Sequence, residues 1–359
     1  MAIFAFQHGA EPPDDMLIHE ALAGNLCRCT GYRSIIETCR RMAGDAVDCA
    51  AERHTAAAEI LSLPICSNYR VADQVFLRPR SLNELFAAIE EYPRALLLAG
   101  GTDLGLRVSK DRERFPAVIS TAAVSELRQI ASDGEDLLLG GAITYTEALP
   151  SLDRYFPSLG SLTRRLGSRQ IRNLGTIAGN LATASPIGDT IPCLIALGAR
   201  LTLRSRTGAR QMTVEEFITG YRKTALRPAE IIAEIRIPFL SDGQSFSAYK
   251  ICKRFDQDIS TVVAAFRLRR QENRVPELRA AFGGMAERAK RAEHLEQALA
   301  GREWNVENLA DVDSLLARDF TPINDHRGGA AYRMRAAGNL LRRFVLETTS
   351  DIPLRLEAL

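Results

Sequence analysis

The first fifty residues carry apolar side chains at helical spacing. Within 16–26 and 34–46 these side chains recur at positions i, i+3 and i+4, as on the buried face of an amphipathic helix. Residues 51–68 show no clear period. The pattern therefore predicts a helical unit over residues 1–50, followed by a linker over residues 51–68.

From Tyr69 onward, short apolar runs alternate with helical patterns, which is typical of an α/β domain. Strands are predicted at 95–99, 117–120, 137–140, 201–203 and 231–237. Helix starts are marked by three sequences of the capping-box type, Ser81-x-x-Glu84, Thr144-x-x-Glu147 and Thr213-x-x-Glu216. These elements predict a domain over residues 69–241.

The last third of the chain differs, because three strands follow one another before the helices begin. The strands are predicted at 246–255, 262–269 and 278–284, and a helix over 286–300 is expected to end at Gly301. This order indicates an α+β domain over residues 245–359. The fold class predicted for the whole chain is α+β.

Composition narrows the class of protein. The length of 359 residues, of which 46% are hydrophobic, is enough for two or three domains. The net charge is only +2 and acidic and basic residues are interleaved, so there is no basic patch typical of nucleic-acid binding. The seven cysteines are an odd number, the first residues do not read as a secretory signal, and no apolar run reaches membrane-spanning length. We expect a cytoplasmic protein with reduced thiols that binds neither nucleic acid nor a membrane.

Residues 168–189, SRQIRNLGTIAGNLATASPIGD, form the most informative segment. It contains Gly175, Gly179 and Gly188 among small and hydroxyl-bearing residues, and Asp189 is its only acid. Glycines let backbone N–H groups approach a ligand closely, and the scarcity of carboxylates suits an anion such as a diphosphate. A Gly-rich structural turn is the alternative explanation for this segment alone.

A second Gly-rich loop directly follows the predicted strand at 95–99. Gly100, Gly101 and Gly105 lie in the usual context of a phosphate-binding loop, after a strand. Thr102 occupies the place of the second glycine in G-x-G-x-x-G, so the loop is not the dinucleotide fingerprint. Two such loops in one chain indicate one extended ligand that is held at two places.

The ordered set of motifs resembles the flavoprotein subunits of the molybdenum hydroxylases, in particular the xanthine dehydrogenase type. After the two Gly-rich loops come Tyr221-Arg222-Lys223-Thr224, Tyr249-Lys250, Gly283-Gly284-Met285-Ala286 and Asp325-x-Arg327, which follow the family pattern. The resemblance covers almost the whole chain. It implies a helical remnant of a [2Fe-2S] domain, an FAD-binding domain of two α/β subdomains and a carboxyl-terminal flavoprotein domain.

The resemblance also implies which residues contact FAD. They come from the first loop, from the second loop and the acid that follows it, and from three positions near the flavin ring or its edge. These residues are Leu97, Leu98, Ala99, Gly100, Gly101, Thr102, Asp103, Leu104, Leu166, Thr176, Ile177, Ala178, Gly179, Asn180, Asp189, Ile232 and Lys250. Without the family, Leu166 and Ile232 read as core residues and Asp189 reads as a helix cap.

The sequence around Cys27 and Cys29 resembles the one that gives the family two thiolate ligands of a [2Fe-2S] cluster. Iron–sulfur clusters usually take four thiolates. The family's other pair, in Cys-Gly-x-Cys-Thr-Pro-Gly, does not occur in this sequence. We expect it upstream of Met1, which makes the chain truncated at its amino terminus and the cluster dependent on that pair. A site completed by Cys39 and Cys49 is the less favoured alternative.

The function that the resemblance implies is electron transfer. A molybdenum-binding large subunit would oxidise xanthine, and the electrons would pass through [2Fe-2S] to FAD and then to NAD⁺. No catalytic residue is predicted in this chain, because a flavin carries its own reactive atoms. The alternatives are the flavin subunit of a related aldehyde or carbon monoxide dehydrogenase, a catalytically silent flavin-binding fragment, and a structural partner that binds no flavin.

Overall fold

The structure, a computed structural model, describes residues 2–7, 14–27, 29–42, 68–255 and 257–350. The predicted linker lies outside these residues, except for Asn68. The described strands are β1 (Asn68–Val71), β2 (Gln74–Leu77), β3 (Leu96–Leu98), β4 (Ala117–Ser120), β5 (Ile130–Ser132), β6 (Asp136–Gly140), β7 (Arg200–Ser205), β8 (Gly208–Thr213), β9 (Ile218–Gly220), β10 (Lys223–Thr224), β11 (Ile231–Pro238), β12 (Gln244–Ile251), β13 (Val262–Gln271), β14 (Arg274–Gly283) and β15 (Lys290–Arg291).

The described α-helices are unevenly spread, with most of them in the middle and at the end of the chain. They span Ala2–Gln7, Asp15–Leu22, Arg33–Met42, Leu82–Glu91, Leu104–Ser109, Tyr145–Tyr155, Pro157–Arg164, Arg169–Leu174, Ile177–Thr183, Thr190–Leu197, Val214–Phe217, Glu293–Leu299, Val312–Asp319 and Ala330–Thr349. Short 3₁₀ turns lie at Ser125–Leu127 and Glu307–Leu309. None of these helices has both the length and the apolar character needed to cross a bilayer.

The first sheet has the strand order β1-β2-β4-β3, and β2 and β3 both run parallel to β4. The helix Leu82–Glu91 contributes Leu85 to the core of this sheet, together with Ile119 of β4, and both are fully buried. Because β2, β3 and β4 run in one direction, the loop after β3 leaves from the carboxyl edge of the sheet. Ligands of α/β domains bind at this edge.

The second sheet is antiparallel, with the order β5-β6-β11-β7-β8. Its core includes the helix Thr190–Leu197, all of whose residues are buried. Together the two sheets form a two-subdomain architecture, each sheet having its own hydrophobic core. The predicted strands at 137–140, 201–203 and 231–237 are therefore confirmed, each with one or more further residues.

The capping boxes predicted at two helix starts are confirmed. The hydroxyls of Thr144 and Thr213 accept the N–H of the glutamate three residues later, and that glutamate accepts the threonine's own N–H. At Ser81 only half of the box forms. The Ser81 hydroxyl accepts the N–H of Glu84, but the Glu84 carboxylate accepts the N–H of Arg80 instead.

The carboxyl-terminal sheet has the order β12-β13-β14-β15 and is antiparallel. It contains the three predicted strands and also the two-residue strand Lys290–Arg291. This strand occupies the start of the helix predicted over 286–300, which begins only at Glu293 and ends at Leu299. Gly301, at φ +74°, follows the end of this helix as predicted. Strand β12 ends at Ile251 rather than at 255, because the chain then turns back, with the N–H of Arg254 donating to Asp258.

The amino-terminal unit is helical, as predicted, but its helices are shorter. The second helix ends at Leu22 rather than at 26, and the N–H of Asn25 donates to the Leu22 carbonyl in the turn that follows. Asp14 caps the start of this helix by accepting the N–H of Leu17. The third helix covers Arg33–Met42, and the rest of its predicted span lies outside the described residues. Cys39 lies on its buried face.

Arg333 connects the long last helix to the chain segments at the start of β13 and the end of β14. Its side chain is 2% exposed, and its guanidinium donates to the carbonyls of Thr261, Gly284 and Gly328 and to the Asp325 carboxylate. Gly284 has a φ of +78°, and a Cβ there would lie 2.3 Å from the Thr261 carbonyl oxygen. The guanidinium thus satisfies several acceptors that the helix and the sheet bury together.

We expect Arg333→Met to lower the free energy of unfolding by about 3–5 kcal/mol, because it removes the donor of three carbonyls and a charged partner of the Asp325 carboxylate. Trp304 is the single tryptophan and is 2% exposed in the hydrophobic core beneath the last helix. Its fluorescence therefore reports the unfolding of the carboxyl-terminal domain in urea. The matched control is Arg342→Met on the same helix. Arg342 pairs at 3.6 Å with the exposed Asp313, and its loss should cost about 0.5 kcal/mol or less. Equal losses in the two variants would contradict the prediction.

Candidate functional site

A cavity of about 730 Å³ lies between the two Gly-rich loops, the turn at 166–167 and the carboxyl-terminal domain. Its volume falls within the range of about 300–1,000 Å³ that is usual for small-molecule sites. All but two of the predicted cofactor residues line it. The lining residues are Leu97, Ala99, Gly100, Gly101, Thr102, Asp103, Leu104, Leu166, Thr176, Ala178, Gly179, Asn180, Asp189, Ile232 and Lys250.

Leu98 and Ile177 do not line the cavity, and the local backbone explains why. Side chains of a strand alternate between its two faces, so Leu98 points away from the face of Leu97 and Ala99. Ile177 is the first residue of the helix Ile177–Thr183, and it is 2% exposed within the hydrophobic core. A helix turns by about 100° per residue, which leaves Ala178 and Gly179 on the cavity side.

The two Gly-rich loops touch each other at Gly100. A Cβ on Gly100 would lie 1.8 Å from the carbonyl oxygen of Leu174 and 2.8 Å from Cα of Gly175. Only glycine allows this approach, so the first loop is held directly beside the second. Among the described residues, the backbone N–H groups of Gly100, Gly101 and Thr102 have no acceptor. These three residues line the cavity, so the first loop keeps backbone donors available for an anionic ligand there.

Thr176 and Asn180 order the second loop. The Thr176 hydroxyl accepts the N–H of Gly179 at 2.9 Å, and the Thr190 hydroxyl donates to the Asn180 side-chain oxygen at 2.9 Å. Asn180 is therefore fixed through the helix that begins at Thr190. The Asp189 side chain, by contrast, makes no cap bond to that helix. The helix-cap explanation of Asp189 is wrong.

The Asp189 carboxylate accepts hydrogen bonds from two side chains of the carboxyl-terminal domain. The Lys250 ammonium lies 2.5 Å from one carboxylate oxygen, and the Ser260 hydroxyl donates to the other. The side chains of Asp189 and Lys250 are 7% and 2% exposed. Lys250 also donates to the Arg165 carbonyl at 3.3 Å. The sequence analysis found Asp189 and Lys250, but it gave no signal for Ser260, which lies 71 residues from its partner.

Arg165 is a second residue that sequence reasoning missed. Its guanidinium lies 4.5 Å from the Phe255 ring centroid and donates to the carbonyls of Lys250 and Phe255, each at 3.2 Å. The contacts join the turn beside Leu166 to the segment 252–258, and Asp258 of that segment lines the cavity. Only the tertiary fold brings these segments together, since they are about 90 residues apart.

Tyr145 is a buried phenol in the cavity wall. It lies beside the second loop, since its N–H donates to the Gly175 carbonyl. Burial raises the pKa of Tyr145, so the hydroxyl keeps its proton. Among the described residues no hydrogen bond of ordinary geometry reaches this hydroxyl, although the nearby Thr190 side chain partly opposes the rise in its pKa. A buried hydroxyl is usually satisfied, so Tyr145 fits a site that receives a polar group or a water.

The rim near Ile232 is held by an ion pair. Arg210 donates to both carboxylate oxygens of Glu230 at 2.8 Å, and the N–H of Arg227 donates to the same carboxylate. The hydrogen bonds from Arg210 lower the pKa of Glu230 from 4.5 to about 2. Glu230 therefore stays ionised at neutral pH and keeps the start of β11, with Ile231 and Ile232, against the cavity.

Cys27 and Cys29 are both exposed. The Thr30 hydroxyl donates to the Cys27 sulfur at 2.7 Å and lowers the pKa of Cys27, which favours the thiolate that binds metals. Within the described parts of the chain, no group of three or more Cys, His, Asp or Glu side chains could hold a metal ion. These residues supply two thiolates of the four that a [2Fe-2S] cluster usually takes, so they do not complete such a site.

Three known domain families match the chain in order. Residues 1–40 match a [2Fe-2S] binding domain, residues 68–240 match the FAD binding domain in molybdopterin dehydrogenase, and residues 247–348 match the CO dehydrogenase flavoprotein C-terminal domain. The matched ranges coincide with the helical unit, the two-subdomain unit and the carboxyl-terminal unit of the fold.

Individual relatives agree with these matches. The chain is 29% identical to a xanthine dehydrogenase/oxidase of Gallus gallus over 92% of this chain and 30% of that protein. It is 34% identical to the nicotinate hydroxylase of Emericella nidulans over 77% of this chain and 22% of that one. A carbon monoxide dehydrogenase chain from Hydrogenophaga pseudoflava superposes with a TM-score of 0.71 at 26% identity, over 77% of this chain and 96% of that chain. The chain thus spans about a third of the length of the xanthine dehydrogenases it matches.

We expect the cost of Glu230→Gln to depend on pH. A carboxyl group whose pKa is lowered by folding stabilises the folded chain above its unfolded pKa, and this stabilisation is lost as the pH falls towards the folded pKa. The loss in unfolding free energy should be full at pH 6 and should shrink between pH 4.5 and about 2. Urea titrations of the wild type and the variant at pH 6 and pH 3.5 measure this.

The control for this prediction is Glu90→Gln, which removes an exposed pair with Arg206 at 3.0 Å. Both side chains are more than half exposed, so this loss should stay small at both pH values. A Glu230→Gln penalty that is equal at pH 6 and pH 3.5 would contradict the assignment of the low pKa.

Proposed function

Because the chain belongs to the molybdenum hydroxylase family of flavoproteins, we propose that it is the FAD-binding electron-transfer subunit of a xanthine dehydrogenase. In this proposal a molybdenum-binding large subunit oxidises the substrate, and the electrons reach NAD⁺ through the flavin held by this chain. The observation that carries the proposal is that both Gly-rich loops and the Asp189–Lys250 pair line the same cavity.

The residues of the cavity have different proposed roles. The free N–H groups of the loop at 100–102 bind the diphosphate of FAD. Asn180 and Asp189 accept hydrogen bonds from the hydroxyl groups of its ribityl chain. Leu166 and Ile232 are apolar and exclude water from the flavin ring. FAD, when bound, would supply a carrier that takes up two electrons singly, together with protons, and that can give up a hydride to an acceptor such as NAD⁺. The protein positions this chemistry and takes no covalent part in it.

The [2Fe-2S] cluster has a conditional place in the proposal. Cys27 and Cys29 would be two of its ligands, and the other two have to come from outside the described residues. We therefore assign the cluster to this chain only together with a second cysteine pair. The binding and release of FAD do not depend on that condition.

The coverage of the relatives favours the xanthine dehydrogenase type. The match to the Gallus gallus protein extends over 92% of this chain, whereas the carbon monoxide dehydrogenase chain covers 77%. In the xanthine dehydrogenase arrangement the iron–sulfur segment precedes the flavin domain in one chain, as residues 1–40 precede residues 68–240 here. Nicotinate, the substrate in the name of another relative, is also a nitrogen heteroaromatic compound. A cytoplasmic location agrees with five described cysteines that are all free thiols.

We expect the purified chain to bind one FAD without a covalent bond. None of the cysteines or histidines lies in either Gly-rich loop, so no side chain there can form the usual covalent flavin link. The visible flavin spectrum should be present after purification or after incubation with FAD, and acid denaturation should release intact FAD into the supernatant. A chain that remains colourless after incubation would contradict the proposed function and favour a structural partner without flavin.

Asp189→Asn and Asn180→Ala should each weaken FAD binding by about 1–3 kcal/mol, which is roughly a 5-fold to 150-fold increase in Kd. Asp189→Asn replaces one acceptor oxygen of the buried carboxylate by a donor, and Asn180→Ala removes a half-buried amide that lines the cavity. Titration of flavin fluorescence measures the Kd. Asp313→Asn and Asn339→Ala are matched controls, since both residues are exposed on the helices of the carboxyl-terminal domain. Their Kd should equal that of the wild type. Unchanged affinity in both cavity variants would show that the ligand lies elsewhere.

A further inference from the structure

Arg172 is a buried cation of the second Gly-rich segment to which the proposed function gives no role. It belongs to the helix Arg169–Leu174, and its side chain is 2% exposed. One terminal nitrogen donates to the carbonyls of Arg164 and Gly167 at 2.7 and 2.9 Å. These carbonyls belong to the turn that carries Leu166 and Gly167, which both line the cavity. The guanidinium therefore holds part of the cavity wall.

The other terminal nitrogen of Arg172 contacts the amino-terminal unit. It lies 2.5 Å from the Glu20 carboxylate, 152 residues away in sequence. Glu20 is on the helix Asp15–Leu22, and its side chain is 25% exposed. That helix leads directly into Gly24 and then to Cys27. At Gly24 a Cβ would lie 2.1 Å from the Gln170 side chain, so the chain passes close to the helix of Arg172.

The pair is energetically demanding because Arg172 cannot lose its proton. Its Nε is buried and has no partner among the described residues, so the Glu20 carboxylate is the anion that compensates the charge. Without that anion, the guanidinium has to draw in water or move towards it. Either response would weaken the hydrogen bonds that the other terminal nitrogen donates to the carbonyls of Arg164 and Gly167. The cavity wall and the position of the cysteine segment thus depend on one side chain.

We propose that Arg172 couples the docking of the segment 15–27 to the order of the cofactor cavity, with Glu20 as the docking residue. The inference rests on the proposed function for the identity of the ligand, FAD. Coupling of two equilibria is reciprocal. Bound FAD therefore stabilises the docked segment, and the docked segment strengthens FAD binding by the same factor. Arg172 and Glu20 act as positioning residues, since neither takes part in the chemistry.

Hydrogen exchange of the full 359-residue chain, with and without FAD, tests the coupling. In the wild type, FAD should slow exchange over residues 15–27 by about fivefold or more. In Glu20→Gln, exchange there should be faster without FAD and should not respond to FAD, and the Kd for FAD should rise by a similar factor. Glu20→Asp retains the carboxylate and should recover part of both effects.

The matched control is Asp15→Asn, which removes an exposed ion pair with Arg40 at 2.7 Å inside the amino-terminal unit. It should retain the response of residues 15–27 to FAD. The proposal is overturned if FAD binds the wild type without changing this exchange, or if Glu20→Gln and Asp15→Asn behave alike. Failure of the wild type to bind FAD contradicts the proposed function instead. In that case docking by Glu20 is tested without FAD, by comparing hydrogen exchange over residues 15–27 in the wild type and in Glu20→Gln. Faster exchange in Glu20→Gln supports docking, and equal exchange overturns it.

Discussion

The cavity depends on the buried pair of Asp189 and Lys250, because two charges in a nearly dry site must be compensated by each other. Asp189 lies in the range that matches the FAD-binding domain, and Lys250 lies on strand β12 of the carboxyl-terminal domain. Neither domain can therefore form the site alone. Ser260, in the segment before β13, donates its hydroxyl to the second oxygen of the Asp189 carboxylate. The pair therefore fixes the relative position of the two domains at the place where the cavity needs both.

Close backbone approach extends this constraint to the first sheet. Gly100 lies so near the Leu174 carbonyl that any side chain would collide with it. The loop after β3 is thereby positioned against the loop that ends at Asp189. The Arg333 guanidinium fixes the other flank, since Gly284, whose carbonyl it binds, also donates its N–H to the Pro186 carbonyl two residues before Gly188. Charge pairing and glycine contacts thus hold three sheets around one ligand space.

Local signals in the sequence predicted local structure well. The Thr144 and Thr213 boxes form because their partners lie three residues away. The first cavity loop follows from glycines adjacent to an apolar strand, whereas the second Gly-rich segment folds largely into two short helices. Interactions over long separations gave no such signal. Ser260, Arg165 and the Glu20–Arg172 pair became visible only when the fold brought distant segments together. Treating 97–104 and 176–180 as continuous contact segments also ignored the period of a strand and of a helix, which turns Leu98 and Ile177 away.

Backbone conformation at the rim indicates that the cavity is maintained at a cost. Arg222 and Gln257 line it with φ values of 51°, and Ala184, at 46°, lies between the lining residues Thr183 and Ser185. Left-handed conformations of residues with a Cβ cost about 1–3 kcal/mol each and persist where the surroundings determine them. Ala184 is 1% exposed, so its neighbours impose the conformation. Glycine would remove this cost at Ala184, but it would also remove a methyl group from the hydrophobic core that packs behind the second loop.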